Sequence, residues 1–182
     1  MACLTRLLCW RLPELAVLLL LAGVEPRPAL AASLSPQEVQ VLGKALALVQ
    51  PLPAGATTIA VVYASGNAGS RADAEQIAAE IGDGFQVGPV VLKPLVVDSA
   101  ALATIDPAVI VTAIDANGDA VLRASRARHA LCVTGELAAV KSGRCIMTIR
   151  SDPRVEIVLN AEAARAAGVS FPIAFHMMVR EL

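Results

Sequence analysis

Aromatic residues make up 3% of the 182-residue chain: one tryptophan, one tyrosine and three phenylalanines. Sugar and nucleobase sites stack their ligands on aromatic rings, so those ligand classes lose weight at the outset. Histidine is scarce as well. His129 and His176 stand far apart in sequence, and no histidine and carboxylate fall at metal-ligand spacing, so a zinc site is not expected. The serines form no nucleophile elbow. The one glycine-rich loop has no phosphate-loop lysine and lacks the three spaced glycines of a dinucleotide site. With acid, base, nucleophile and metal candidates all poorly placed, the expectation is a protein that is not an enzyme and uses no cofactor. An excess of positive charge is missing too: 15 basic residues face 16 acidic ones. Nucleic-acid binders usually show a clearly basic face, so nucleic acid is not an expected partner.

Apolar residues are abundant, at 56%, and mean hydropathy is +0.64. Much of this excess lies in the first 31 residues. Arg6 and Arg11 precede an apolar run over residues 15–24, and a proline-containing stretch then ends in Ala29-Leu30-Ala31. This is the three-part pattern of a secretory signal peptide, with cleavage expected after Ala31. Spanning a bilayer takes roughly 20 apolar residues, twice the length of this run. Residues 32–182 are then expected to form one periplasmic, soluble domain.

Cys3 and Cys9 would leave with the leader, so Cys132 and Cys145 remain. In an oxidising compartment two thiols in a small domain read first as a disulfide. The alternative is a pair of buried free thiols, since cysteine packs well as a small apolar residue.

Ser35-Pro36-Gln37-Glu38 has the form of a helix start: a hydroxyl cap, a proline at the first helical position and a carboxylate able to reach back. Val39, Leu42, Leu46 and Val49 follow at helical spacing. Apolar runs rich in β-branched residues then alternate with helical stretches. Strands are expected over residues 57–63, 90–97, 108–114 and 130–133, with Pro94 breaking the second and so putting it near an edge or a bulge. Helices are expected from Ser70 to Gly82, over residues 99–105 and 118–128, and over residues 136–141. Residues 145–150 and 155–159, joined by Ser151-Asp152-Pro153-Arg154, read as a β-hairpin. Asn160 caps a helix closed by Gly168, and residues 171–182 read as a last helix, apolar almost all round. Because its apolar residues cannot share one side, that helix should close the core or meet a partner. The pattern predicts a single doubly wound α/β domain: a mainly parallel sheet, helices on both faces and a C-terminal hairpin.

The best candidate ligand site is the loop between the first strand and its helix, with Ser65, Gly66, Asn67, Gly69 and Ser70. Ligands of open α/β sheets bind beyond the carboxyl ends of the strands, and free helix-start amides favour an anion. Any tight strand-to-helix turn also calls for Gly, Asn and Ser. His129 and His176 read as structural. Arg123, Arg126 and Arg128 form one basic group, and Arg144, Arg150 and Arg154 form another around the hairpin. Either is a solvated charged face or a surface for an acidic partner. The hairpin arginines together with Phe175 and Met178 make up the candidate partner surface.

The stretches Leu131-Cys132-Val133-Thr134, Ser142-Gly143-Arg144-Cys145-Ile146-Met147, Val155-Glu156-Ile157-Val158-Leu159-Asn160 and Ala163-Ala164-Arg165-Ala166-Ala167-Gly168-Val169 resemble the C-terminal half of the YfiR-like family of periplasmic proteins. Val169 stands where that family carries leucine, as in a divergent branch. The stretch from Ile59-Ala60-Val61-Val62-Tyr63 through Ser70-Arg71-Ala72-Asp73-Ala74 resembles the first strand, loop and helix of a lobe from transporter-type periplasmic substrate-binding proteins. The first resemblance implies a non-catalytic regulator with a membrane-bound signalling partner such as a diguanylate cyclase. The second implies a single-lobe module for a small ligand.

Overall fold

A computed structural model describes residues 33–49 and 57–182. Residues 1–31, read from the sequence as a signal peptide, lie outside the described residues. The chain opens with α1 (Pro36–Leu46) and enters the sheet at β1 (Thr58–Tyr63). It continues through α2 (Ala68–Ile81), β2 (Phe85–Val87), β3 (Val90–Asp98), a 3-10 turn at Leu102–Thr104, β4 (Val109–Thr112), α3 (Asp119–Arg128), β5 (Leu131–Thr134) and α4 (Leu137–Lys141). The last elements are β6 (Met147–Arg150), β7 (Glu156–Leu159), α5 (Ala161–Ala167), α6 (Ile173–His176) and β8 (Arg180–Glu181).

The eight strands form one sheet in the order β2-β3-β1-β4-β5-β6-β7-β8. Pairing is parallel except for β2 with β3 and β6 with β7. The expected hairpin is thus present as β6 and β7. The path from β1 through α2 to β3 runs one way along the sheet, and the path from β4 through α3 to β5 runs the other. Right-handed crossovers in opposite directions put α2 and α3 on opposite faces. Their contacts agree: α1 packs on α2 and β6, while α3 packs on α5 and the 3-10 turn. Covered on both sides, β4 and β5 are buried at every position, as continuous apolar runs such as Val109-Ile110-Val111 require. A disulfide joins Cys132 on β5 to Cys145 ahead of β6.

The start of α1 is built as its sequence predicts. Ser35 Oγ accepts from the Glu38 N–H, and Glu38 Oε2 accepts from the Ser35 N–H at 2.8 Å. Glu38 also ties this helix to the end of the hairpin, accepting from the Ser151 N–H at 2.8 Å.

Besides residues 99–105, of which only Leu102–Thr104 forms a 3-10 turn in place of the expected helix, four points differ from the sequence reading. First, α2 starts before Ser70, because Asn67 is its cap: Asn67 Oδ1 accepts from the Ser70 N–H at 3.0 Å. Second, Pro94 lies near the sheet edge as expected but does not break β3, which runs on through it. The Lys93 N–H donates towards β1, to Thr57 O, so the nitrogen of Pro94 faces the other side, where β2 has already ended. No ladder bond is lost there. Third, the short β2 has no counterpart in the periodicity, since three residues carry no readable alternation. Fourth, residues 171–182 are not one helix. Only Ile173–His176 is helical. The chain then pairs with the open edge of β7, where the Leu182 N–H donates to Leu159 O and Arg180 meets Glu156 at 3.0 Å. Phe175 is 1% exposed and stacked on Phe171. It is therefore a core residue and not part of a surface, whereas Met178 is exposed.

Candidate functional site

The topological reversal falls between β1 and β4, whose following loops leave on opposite faces. In open α/β sheets a ligand crevice forms at this point, outside the carboxyl ends of the strands. Four strand ends contribute polar side chains here: Ser65 after β1, Asp98 and Ser99 at the end of β3, Asp115 and Asn117 after β4, and Glu136 after β5.

The five loop residues singled out in the sequence play unlike parts. Ser65 is exposed, donates its hydroxyl to Asp98 Oδ1, and lies 3.1 Å from Ser99 Oγ. Gly66 has φ of +74°, a left-handed conformation that side chains other than Asn or Asp seldom adopt. Asn67 caps α2 and reaches across the crevice, with Nδ2 at 3.5 Å from Asp115 Oδ2, a long and weak contact. Gly69 lies in the first turn of α2. Ser70 is fully buried: its Oγ accepts from the Ala64 N–H at 2.9 Å and donates to Ile114 O at 2.6 Å. Beneath it, the buried Asp73 carboxylate accepts from the N–H groups of Ser33 and Ile114, at 2.9 and 2.8 Å. This corner fixes the loops to the sheet, and its buried side chains are turned to the protein's own backbone.

Next to it, a cavity of about 440 Å³ opens between the β4–α3 loop and α4. Asp115, Asn117, Glu136, Ala139, Ser142 and Arg144 are among its lining residues. Asn117 is 8% exposed and is held from within: its Oδ1 accepts from Thr112 Oγ1 at 2.9 Å, and its Nδ2 donates to Thr134 Oγ1 at 3.0 Å. One hydrogen on Nδ2 and one lone pair on Oδ1 remain after those two bonds. Asp115 adopts φ of +61°, and its N–H donates to Glu136 Oε1 at 3.1 Å. Gly135, just before Glu136, passes so close to Ser33 O that a Cβ would overlap it, so only glycine lets the β5–α4 turn close here.

The Asp98 carboxyl is held below the ordinary aspartate range by the Ser65 hydroxyl and by the Ala100 N–H at 2.8 Å. His129 and His176 are both engaged: His129 Nδ1 lies 2.9 Å from Ala167 O, and His176 is paired with Glu181. A further groove of about 400 Å³, between α3 and the 3-10 turn, is walled mainly by alanines with Arg123 and Arg128. Arg150 and Arg154 are exposed but do not line the Arg144 cavity, so the hairpin arginines are not one cluster. Among the described residues no group of histidine, cysteine and carboxylate side chains is placed to hold a metal.

No family model and no curated protein matches the chain. Among solved structures, the ABC domain from Streptococcus pneumonia in complex with L-Trp matches with a TM-score of 0.52 at 14% identity. The match covers 80% of this chain and 59% of that one, so the chain spans well under two thirds of the length of that structure. At this identity the likeness shows the α/β fold alone.

Proposed function

We propose that the chain is a non-catalytic, single-lobe module that binds a small ligand at the carboxyl end of its parallel strands. The observation that carries this reading is the convergence of Asp115, Asn117, Glu136 and Arg144 on one cavity, at the end of the sheet where open α/β folds take their ligands. The volume falls within the usual range for small-molecule sites, and the structure of like fold was solved with L-Trp. The reading assigns no turnover, since both histidines are engaged away from the cavity. Export to the periplasm belongs to the same proposal: the Cys132–Cys145 bridge is a bond that oxidising compartments preserve. N-terminal sequencing of protein from the periplasmic fraction should begin at Ala32.

A second reading is a YfiR-like regulator that binds a membrane-bound signalling protein such as a diguanylate cyclase. It is favoured by Ile173, Met177 and Met178, which are 82%, 84% and 65% exposed, an apolar area of the kind a protein partner covers. A thermal-shift screen of amino acids, small anions and aromatic compounds, run beside a pull-down from solubilised membranes, separates the two. A saturable rise in melting temperature with one compound supports the ligand module through linkage. A membrane partner recovered with no such rise would overturn it in favour of the regulator.

A further inference from the structure

The cavity beside α4 carries both signs of charge, and its charges are not spent on each other. Asp115 and Glu136 line it together with Arg144. Among the described residues no ion pair joins Arg144 to either carboxylate, and none of the hydrogen bonds involves its guanidinium. Arginine and carboxylate side chains that share a small space normally pair, because the bidentate geometry suits them. Here they do not. Glu136 is engaged by the Asp115 N–H, and the backbone at Arg144 is anchored next door, where Cys145 is bonded to Cys132 of β5. Between them Asn117, buried and anchored at both amide atoms, offers one unused donor and one unused acceptor. Ala138 and Ala139 leave the rest of the wall small and apolar.

We infer that this cavity takes a small zwitterion of the α-amino-acid class. The ligand carboxylate would lie against Arg144 and its ammonium against Asp115 and Glu136, with Asn117 bonding between them. A purely anionic ligand would meet two carboxylates, and a purely cationic one would leave the guanidinium facing it. Only a molecule with both charges satisfies both walls. This inference rests on the ligand-module reading and narrows it.

The test uses the full chain and three forms of each probe. The twenty common L-amino acids are screened by thermal shift, and those that bind are followed by calorimetry beside their C-terminal amides and N-acetyl derivatives. The expected result is a saturable shift with at least one free amino acid, and a loss of affinity of at least about tenfold when either charge is removed, in keeping with the strength of hydrogen bonds to charged groups. Arg144→Gln and Glu136→Gln should each weaken the free amino acid by a similar factor and leave the melting temperature of the unliganded protein unchanged. Arg165→Gln, on an exposed position outside the cavity, should change neither the affinity nor the melting temperature. Amide or N-acetyl forms that bind as well as the free amino acid would overturn the zwitterion while leaving a ligand module standing. The same holds if small anions or aromatic compounds shift the protein and no amino acid does. If no compound of any class shifts it, both readings fall together.

Discussion

Two polar clusters lie side by side at the carboxyl end of the sheet and are built in opposite ways. At the corner where α2 leaves β1, Ser70 and Asp73 are buried, and the protein's own backbone uses their bonding capacity. Around the cavity beside α4, Asp115, Glu136 and Arg144 are accessible and only partly engaged. Leaving a buried polar group without partners costs stability, so the pairing of Ser70 and Asp73 with backbone groups marks the corner as structure. An accessible charge costs the fold little whether it is paired or not, so leaving opposite charges apart around a cavity keeps them available for binding. The comparison predicts large stability effects and no binding role at the corner, and the reverse at the cavity.

The sharpest contrast is between two aspartates. Asp73→Ala strips the acceptor from two backbone N–H groups, each worth about 1–3 kcal/mol when left unpaired in a buried setting. Chemical denaturation should show a loss of about 4 kcal/mol. Asp115→Asn, chosen because Asn tolerates the left-handed backbone at that position, should change stability by less than about 0.5 kcal/mol and should act on ligand binding instead. Equal losses from the two substitutions would erase the distinction between the clusters.

Next in size is the disulfide. Its cysteines are 13 residues apart, and closing a loop of about 15 residues is worth roughly 3 kcal/mol in the chain-entropy account. Because Arg144 directly precedes Cys145, a Cys132→Ala/Cys145→Ala double variant should lose ligand affinity together with stability. The corner at α2 should stay intact, which hydrogen exchange at the Ser70 and Ile114 amides can check. A smaller effect separates two serines of the same loop. Ser70→Ala leaves a backbone N–H and a carbonyl without their partner and should cost about 2 kcal/mol, whereas the exposed Ser65→Ala should cost less than about 0.5 kcal/mol.

Much of the scaffold could be read from the chain, because its signals are local and periodic. The capping box at Ser35 and Glu38, the unbroken apolar strands and the Asn160 cap depend on residues within a few positions of one another. The elements that were missed depend on distant ones. The edge strand β8 exists because β7 has an open side to pair with, and nothing in residues 171–182 announces that edge. Residues 65–70 were legible as a candidate site because their position after the first strand is right for the fold class, yet the sequence could not separate Ser65, which faces outwards, from Ser70, which faces in. Asp115 and Glu136 sit in ordinary-looking turns after apolar strands, and Arg144 lies next to a cysteine. Their meeting is a consequence of β4 and β5 being neighbours with α4 folded back beside them. The one usable hint was positional: each carboxylate follows closely on the end of a strand expected to be parallel.

The smallest expected effect is a pH dependence on the far lip of the crevice, at Asp98. Its carboxylate accepts from the Ser65 hydroxyl and the Ala100 N–H, and both bonds favour the charged form, so its pKa lies below the ordinary aspartate value. A carboxyl depressed on folding contributes stability that is present above about pH 4, the unfolded aspartate range. That contribution is lost as the pH falls through the lower folded value, where protonation removes the acceptor. The group is open to solvent, so the gain is slight and the site titrates without unfolding the protein. Carbon-detected NMR titration of the Asp98 carboxyl should show a depressed midpoint that moves back towards the ordinary aspartate range in Ser65→Ala, because the hydroxyl is the larger of the two causes. An unmoved midpoint in that variant would assign the depression to the Ala100 amide. Ser65 would then have no electrostatic part at this lip, and the proposed binding function would rest on the Arg144 side of the crevice alone.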